Sequence, residues 1–224
     1  MIKIIGHRGA AGIELENSAS SIKAALKLPL DGIEFDVRRT KDGKLIVLHD
    51  WHTGRVATEK RFVVESTLAE LQTLKLKNGQ HIMTLEETLG LIGTSMPIVL
   101  DIKDFGVSEE LQRTLQEYPK LRITITSRKY NELQSIHYLM PALPFLAQSH
   151  VSPTDVVYRA RQMHATGISI NKWLINPITY HMAKRFKLEV GVYTVNSPLL
   201  MRLITRLYPD ITIYTDHPER FVRK

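Results

Sequence analysis

Glu34 and Asp36 stand two residues apart in the apolar run GIEFDV (Gly32–Val37). If that run is a strand, both carboxylates point to one face. Two carboxylates turned inward are costly unless a cation or basic partners compensate them. A hard divalent cation with oxygen ligands, Mg²⁺ or Ca²⁺, answers that cost; a salt-bridge network with Arg38, Arg39 and Lys103 is the alternative. Asp101, in IVLDIKD (Ile98–Asp104), offers a third oxygen ligand, and Lys103 points the same way as Asp101. Near the N-terminus, GHRG (Gly6–Gly9) ends another apolar run with two cationic side chains. His7 and His49 titrate near neutrality and suit general acid and base work. Arg8 and Lys103 would hold a phosphate, the first with a planar fork and the second as a point charge. A cation, two histidines, an arginine and a lysine, with no cysteine in the chain and no evident nucleophilic serine, point to cleavage of a phosphoryl ester. The remaining histidines (52, 81, 137, 150, 164, 181 and 217) read as structural or exposed.

Elements must bring these residues together. Short β-branched runs alternate with helix-period stretches along the chain. Strands are expected at Lys3–Gly6, Gly32–Val37, Ile98–Ile102, Arg122–Thr126, Phe145–Gln148, Gly167–Ile170, Glu189–Val195 and Ile211–Thr215. Helices are expected at Ala19–Leu28, Leu85–Ile92, Glu109–Tyr118, Tyr130–Leu139, Thr154–His164, Pro177–Arg185 and Pro198–Leu207, with caps at Thr84, Ser108 and Asn176. Strands alternating with helices imply right-handed crossovers and a parallel sheet. Eight such strands suggest a closed (β/α)₈ barrel, whose chemistry sits at the C-terminal strand ends. An open doubly wound sheet is the alternative, but GHRGAAG lacks the G-x-G-x-x-G spacing.

One segment breaks the alternation. KLIVLH (Lys44–His49) follows the second strand too soon for a helix, and Asp42-Gly43 is a hairpin turn signal. A two-residue turn between Lys41 and Lys44 places Asp36 opposite His49, which would gather Glu34, Asp36 and His49 on one face.

The chain of 224 residues is 43% hydrophobic and 24% charged, enough for a sizeable core. It reads as one domain over residues 1–224 with a small insertion at about 44–84. No apolar run is long enough to span a membrane, and no signal peptide is evident. Stable membrane insertion is not expected, and the reading is of a cytoplasmic protein, monomer or homodimer. The formal net charge of +7 favours anionic partners. Basic residues are scattered, densest at Ala183–Lys187 and Arg220–Lys224, and no arginine-rich block is interleaved with aromatics, which argues against nucleic acid.

The series GHRG, ENS (Glu16–Ser18), GIEFDVRRTKDGKLIVLHD (Gly32–Asp50), TLEETL (Thr84–Leu89), LDIK (Leu100–Lys103), VYTVNS (Val192–Ser197) and YTDHP (Tyr214–Pro218) resembles the glycerophosphodiester phosphodiesterases over nearly the whole chain. The resemblance implies a (β/α)₈ barrel that hydrolyses glycerophosphodiesters to sn-glycerol 3-phosphate and an alcohol with a divalent cation. It implies His7 and His49 as the acid/base pair and Glu34 and Asp36 as metal ligands. It also implies Arg8 and Lys103 as phosphate contacts. A lysophospholipase D-like relative and a catalytically weak phosphodiester-binding barrel are the alternatives. The chain departs from the family pattern at several points. Asp101 stands where the family usually has glutamate, Leu15 replaces a proline, and Tyr193 replaces a tryptophan while keeping an aromatic wall for substrate. Arg128 replaces a phenylalanine and adds a positive charge at the pocket. The segment from His49 to Thr84 is short, so only a small cap is expected over the site.

Overall fold

The computed structural model describes residues 2–221; Val222–Lys224, the end of one basic run noted above, lie outside them. The β-branched runs form strands and the helix-period stretches form helices, in alternation. In chain order these are β1 (Lys3–Gly6), α1 (Ala19–Leu26), β2 (Gly32–Arg39), β3 (Leu45–Val47), α2 (Leu68–Gln72), α3 (Leu85–Ile92), β4 (Ile98–Ile102) and α4 (Ser108–Gln116). They continue as β5 (Ile123–Ser127), α5 (Tyr130–Leu139), β6 (Phe145–Ser149), α6 (Pro153–Gln162), β7 (Gly167–Asn171), α7 (Pro177–Arg185), β8 (Glu189–Tyr193), α8 (Pro198–Leu207) and β9 (Ile211–Thr215). Eight parallel strands run β1-β9-β8-β7-β6-β5-β4-β2, and β2 returns to β1 through Ile5–Gly32 and Gly6–Ile33, closing the barrel.

Strand alternation sorts the side chains. Ile33, Phe35 and Val37 of β2 are fully buried among residues of the surrounding helices, such as Ile22, Ala25 and Leu89. Glu34 and Asp36 therefore point to the barrel interior. On β4, Ile98, Leu100 and Ile102 join the outer core, while Val99 turns inward with Ile5 and Tyr214. Asp36 and Asp101 are paired neighbours across β2 and β4, so two inward carboxylates share one level of the barrel.

The β2–β3 hairpin differs from the expected register by one residue. Val37 pairs with Val47 and Arg39 with Leu45, so Asp36 lies opposite Leu48 rather than His49, and the Asp36 carbonyl accepts from the Leu48 N–H at 3.1 Å. The loop has three residues rather than two: Thr40 N–H donates to the Lys44 carbonyl at 2.9 Å, and Gly43 takes φ +81°. A three-residue loop closed by glycine in the left-handed region is the next hairpin class. The Thr40 hydroxyl, donating to Asp42 Oδ1 at 2.6 Å and accepting from Lys44 N–H at 2.9 Å, stabilises this longer turn. A one-residue slip reverses the face of every following side chain. His49 nevertheless comes to the site, because β3 ends at Val47 and the chain bends at His49 and Asp50.

The segment between β3 and α3 builds a second small core from Leu48, Val56, Val63, Leu71, Leu74, Leu76 and Ile82, against which Leu15 packs. Its helix α2 is too short to have been visible as a period. Thr84 and Asn176 cap α3 and α7 as expected. Ser108 does not cap α4; the buried Glu132 carboxylate on α5 accepts from the N–H groups of Gly106, Val107 and Ser108 at 2.8–2.9 Å instead. Among the described residues no helix is long and apolar enough to cross a membrane.

Candidate active site

The strand ends carry the site. Beyond β1 the backbone makes a left-handed turn, with φ +53° at Arg8 and +86° at Gly9. That conformation is unfavourable for arginine. Hydrogen bonds over-determine it: Arg8 N–H donates to Glu34 Oε2 at 2.9 Å, and Gly9 N–H to the Glu34 carbonyl at 3.0 Å. Gly9 is required, since a Cβ there would lie 2.6 Å from Ser21 Oγ. The turn aims His7 and Arg8 over the barrel mouth.

Glu34, Asp36 and Asp101 are all buried, and one carboxylate oxygen from each lies within 4.8 Å of the others. Lys103, one residue past β4, projects back into this cluster, with Nζ 2.7 Å from Asp36 Oδ1 and 2.5 Å from Asp101 Oδ2. Asn17 Nδ2 donates to Asp36 Oδ2 at 2.7 Å, and Gln148 Nε2 donates to Asp101 Oδ2 at 3.2 Å. Asp101 Oδ1 is buried with no hydrogen-bond partner, a costly state for a carboxylate oxygen. Burial and the neighbouring Asp36 charge push the Glu34 carboxyl up to about 7. Burial acts in the same direction on Asp36, but Lys103 and Arg8 hold its carboxyl well below the usual range. An orphaned oxygen, a carboxyl strained toward protonation and three convergent oxygen donors fit a hard divalent cation. Lys103 is itself held protonated, because Asp101 and Asp36 outweigh the effect of its burial.

The two histidines are braced in the same way on opposite supports. His7 Nδ1 is 2.6 Å from Asp216 Oδ1, just past β9, and Asn196 Nδ2 donates to Asp216 Oδ2 at 2.7 Å. Nε2 of His7 lies 3.9 Å from Glu34 Oε2. His49 Nδ1 is 2.7 Å from Asp50 Oδ1. Asp50 accepts from Arg55 Nε at 2.6 Å, and Arg55 grips both oxygens of Glu16 at 2.6 and 2.7 Å. Glu16 also accepts from Arg8 Nη1 at 2.9 Å, so the His49 support ends on the arginine beside His7. In each case the carboxylate holds Nδ1 and leaves Nε2 as the ring nitrogen it does not engage. Burial lowers the His7 pKa, but Glu34 and Asp216 outweigh it and the net shift is upward. Burial lowers that of His49, and Arg8 and Lys103 outlast the opposing pull of Asp36.

Both histidines, Arg8, Asp101, Lys103 and Tyr193 line one cavity of about 450 Å³ at the C-terminal mouth. Tyr193 donates its hydroxyl to the Ser149 carbonyl at 3.0 Å, and burial raises its pKa. Every site residue expected from sequence is thus brought to this end of the barrel, with Glu34 and Asp36 beneath the cavity floor. The bracing residues Glu16, Asn17, Asp50, Arg55, Gln148, Asn196 and Asp216 are not among the site residues that the sequence suggests. Glu16, Asn17, Asp50, Asn196 and Asp216 lie within the quoted ENS, LHD, VYTVNS and YTDHP segments, and Asn196 and Asp216 also follow the C-terminal ends of strands, which are the signals that could have found them. His150, read as structural or exposed, lines the cavity and accepts from Arg128 Nη1 at 3.0 Å.

A closed (β/α)₈ barrel with acid/base, cationic and carboxylate groups gathered at its C-terminal mouth defines a barrel enzyme of phosphate-ester chemistry. The chain belongs to the glycerophosphoryl diester phosphodiesterase family, whose family model matches residues 7–220, and it is by class a phosphoric diester hydrolase. It is 28% identical over 251 residues to a glycerophosphodiester phosphodiesterase of Bacillus subtilis, covering 98% of this chain and 85% of the relative. It is 29% identical over 233 residues to one of Caldanaerobacter subterraneus, covering 98% and 96%. An Oleispira antarctica phosphodiesterase, solved in complex with the product sn-glycerol-3-phosphate, superposes with a TM-score of 0.90 at 23% identity, covering 97% and 94%. A Thermotoga maritima glycerophosphodiester phosphodiesterase superposes at 0.84 and 22% identity, covering 99% and 97%. The structural likeness is one of fold.

Proposed function

We propose that this chain hydrolyses glycerophosphodiesters to sn-glycerol 3-phosphate and an alcohol, with Mg²⁺ or Ca²⁺ held by Glu34, Asp36 and Asp101. The observation that carries this reading is the pair of carboxylate-braced histidines, which share a mouth with Arg8 and Lys103 beside a buried three-carboxylate cluster. Bound there, a divalent cation supplies positive charge to polarise the phosphoryl oxygens. Arg8 and Lys103 orient the phosphate. One histidine Nε2 takes the proton of the attacking hydroxyl, and the other gives a proton to the leaving alcohol oxygen as the P–O bond breaks. Asp216 and Asp50 keep each imidazole in the tautomer and orientation that this transfer needs. Tyr193 forms an aromatic wall for the substrate. The whole chain acts as one barrel domain, with the 44–84 segment as its insertion supporting His49.

Release of sn-glycerol 3-phosphate from glycerophosphodiesters, with and without Mg²⁺ or Ca²⁺, tests the reading. Metal-dependent release is expected; no turnover of any glycerophosphodiester would refute it. A 2-deoxyglycerol analogue separates attack by the substrate's own 2-hydroxyl, for which the analogue is inert, from direct attack by water.

A further inference from the structure

The cavity has a second cationic wall that the reaction does not use. Arg128 follows β5, His150 follows β6 and Lys172 follows β7, three successive strands of the closed sheet. In the strand order β6 is four places from β1 in either direction, so His150 stands diametrically across the mouth from His7. A phosphodiester whose phosphate sits by Arg8 and Lys103 therefore extends one ester arm toward this wall.

The wall carries positive charge with nothing to balance it. Among the described residues neither Arg128 nor Lys172 has a carboxylate partner. The acidic side chains lining the cavities that Arg128 borders are paired elsewhere: Asp101 with Lys103, Asp104 with Arg38 Nη1 at 2.6 Å and Asp155 with Arg159 Nε at 2.6 Å. Arginine can only donate, so its bond to His150 Nδ1 makes the imidazole the acceptor and orients the guanidinium. Arg128 lines three adjoining cavities, which places its side chain at the junction between the catalytic mouth and the surface. A cationic head group would meet like charge here. Of the two aromatic side chains lining the cavity, Trp173 already lies against the Lys172 ammonium, 5.4 Å from the ring centroid, and Tyr193 belongs to the wall beside Lys172 on the next strand. Glycerol is neutral and common to every substrate of the class, so only the alcohol arm can supply the matching charge.

We propose that Arg128, His150 and Lys172 form a subsite for an anionic group on the alcohol arm, so that the enzyme prefers glycerophosphodiesters whose alcohol bears a second negative charge, a carboxylate or a further phosphate. This inference rests on the function proposed above. Glycerophosphoserine and glycerophosphoethanolamine differ by one carboxylate and make the test. The expected kcat/KM ratio favours the serine ester by about fivefold or more, the combined effect of two partly exposed ion pairs. It should fall with added salt and approach one in Arg128→Gln/Lys172→Gln, with the change mainly in KM. Arg128→Glu should turn the preference toward glycerophosphocholine. Hydrolysis of both esters with a ratio near one in the unaltered enzyme would overturn the subsite and leave the proposed function standing. Calorimetric binding of both esters to His49→Ala reads the preference without turnover. Tighter binding of the serine ester supports the subsite even if hydrolysis fails, and equal binding overturns it.

Discussion

On the β1–β2–β4 side of the mouth, Glu34, Asp36 and Asp101 are at most 4% exposed, and Lys103, Asn17, Gln148 or the Arg8 backbone holds each of them. On the β5–β7 side, Arg128 and His150 stand at the surface, joined by one hydrogen bond, and the 77%-exposed Trp173 lies against the Lys172 ammonium. The contrast follows from what each side can tolerate. Buried charges must be satisfied in one geometry or they cost several kcal/mol each, roughly. Exposed charges are screened and interact weakly, which leaves them free to adapt to different ligands. Bond cleavage belongs on the first kind of wall and selectivity on the second.

That division is broken most directly at the carboxylates. Removal of divalent cations with EDTA should lower release of sn-glycerol 3-phosphate by at least about 10³-fold, the scale of charge stabilisation by a bound ion. Restoration by Mg²⁺ or Ca²⁺ in the unaltered enzyme, but not in Asp36→Asn, sharpens the assignment; activity indifferent to EDTA would reduce the cluster to an ion-pair network around Lys103. Next come the histidines. His7→Ala and His49→Ala should each lose at least about 100-fold in kcat, the lower range for a general acid or base, and near-normal rates in both would remove them from the mechanism.

The braces should matter less, and unequally. Asp216→Asn removes a partner held on the barrel itself and should lower kcat about tenfold while shifting its pH profile. Arg55→Ala leaves Asp50 on His49 and should cost less; the reverse order would show that the loop, not the barrel end, sets the catalytic geometry. The smallest effect is on stability. Burial would raise the Asp50 carboxyl, but hydrogen bonds from Arg55 and His49 bring it from 3.8 to about 2. Because the folded value is the lower one, the stabilisation is complete above pH 3.8 and is lost as pH falls through about 2. Solvent screens this pair, so urea unfolding should show about 1 kcal/mol or less of such loss relative to Asp50→Asn.

The barrel and the Glu34–Asp36 pair were legible in the sequence because both depend on local period: alternation along β2 fixes the common face of the two carboxylates whatever surrounds them. The same rule places Lys103 with Asp101. Legibility ended where a single residue of loop length mattered. Asp42-Gly43 signals a turn equally well for two or three residues, and the Thr40 side chain tipped the balance, so Asp36 faces Leu48. His49 arrives instead through the bend that follows β3, on a segment anchored by its own small core and by Arg55.

Residue types, strand period and motif order are properties of neighbouring positions, and they sufficed for the fold class and for naming the carboxylates and histidines that the barrel mouth gathers. The pairing of His7 with Asp216 spans 209 positions, and that of Asp101 with Gln148 spans 47. Closure of the barrel, which brings β9 beside β1 and β6 across from it, is a global event. Only that closure decided which carboxylate braces which histidine and which cations face each other across the mouth.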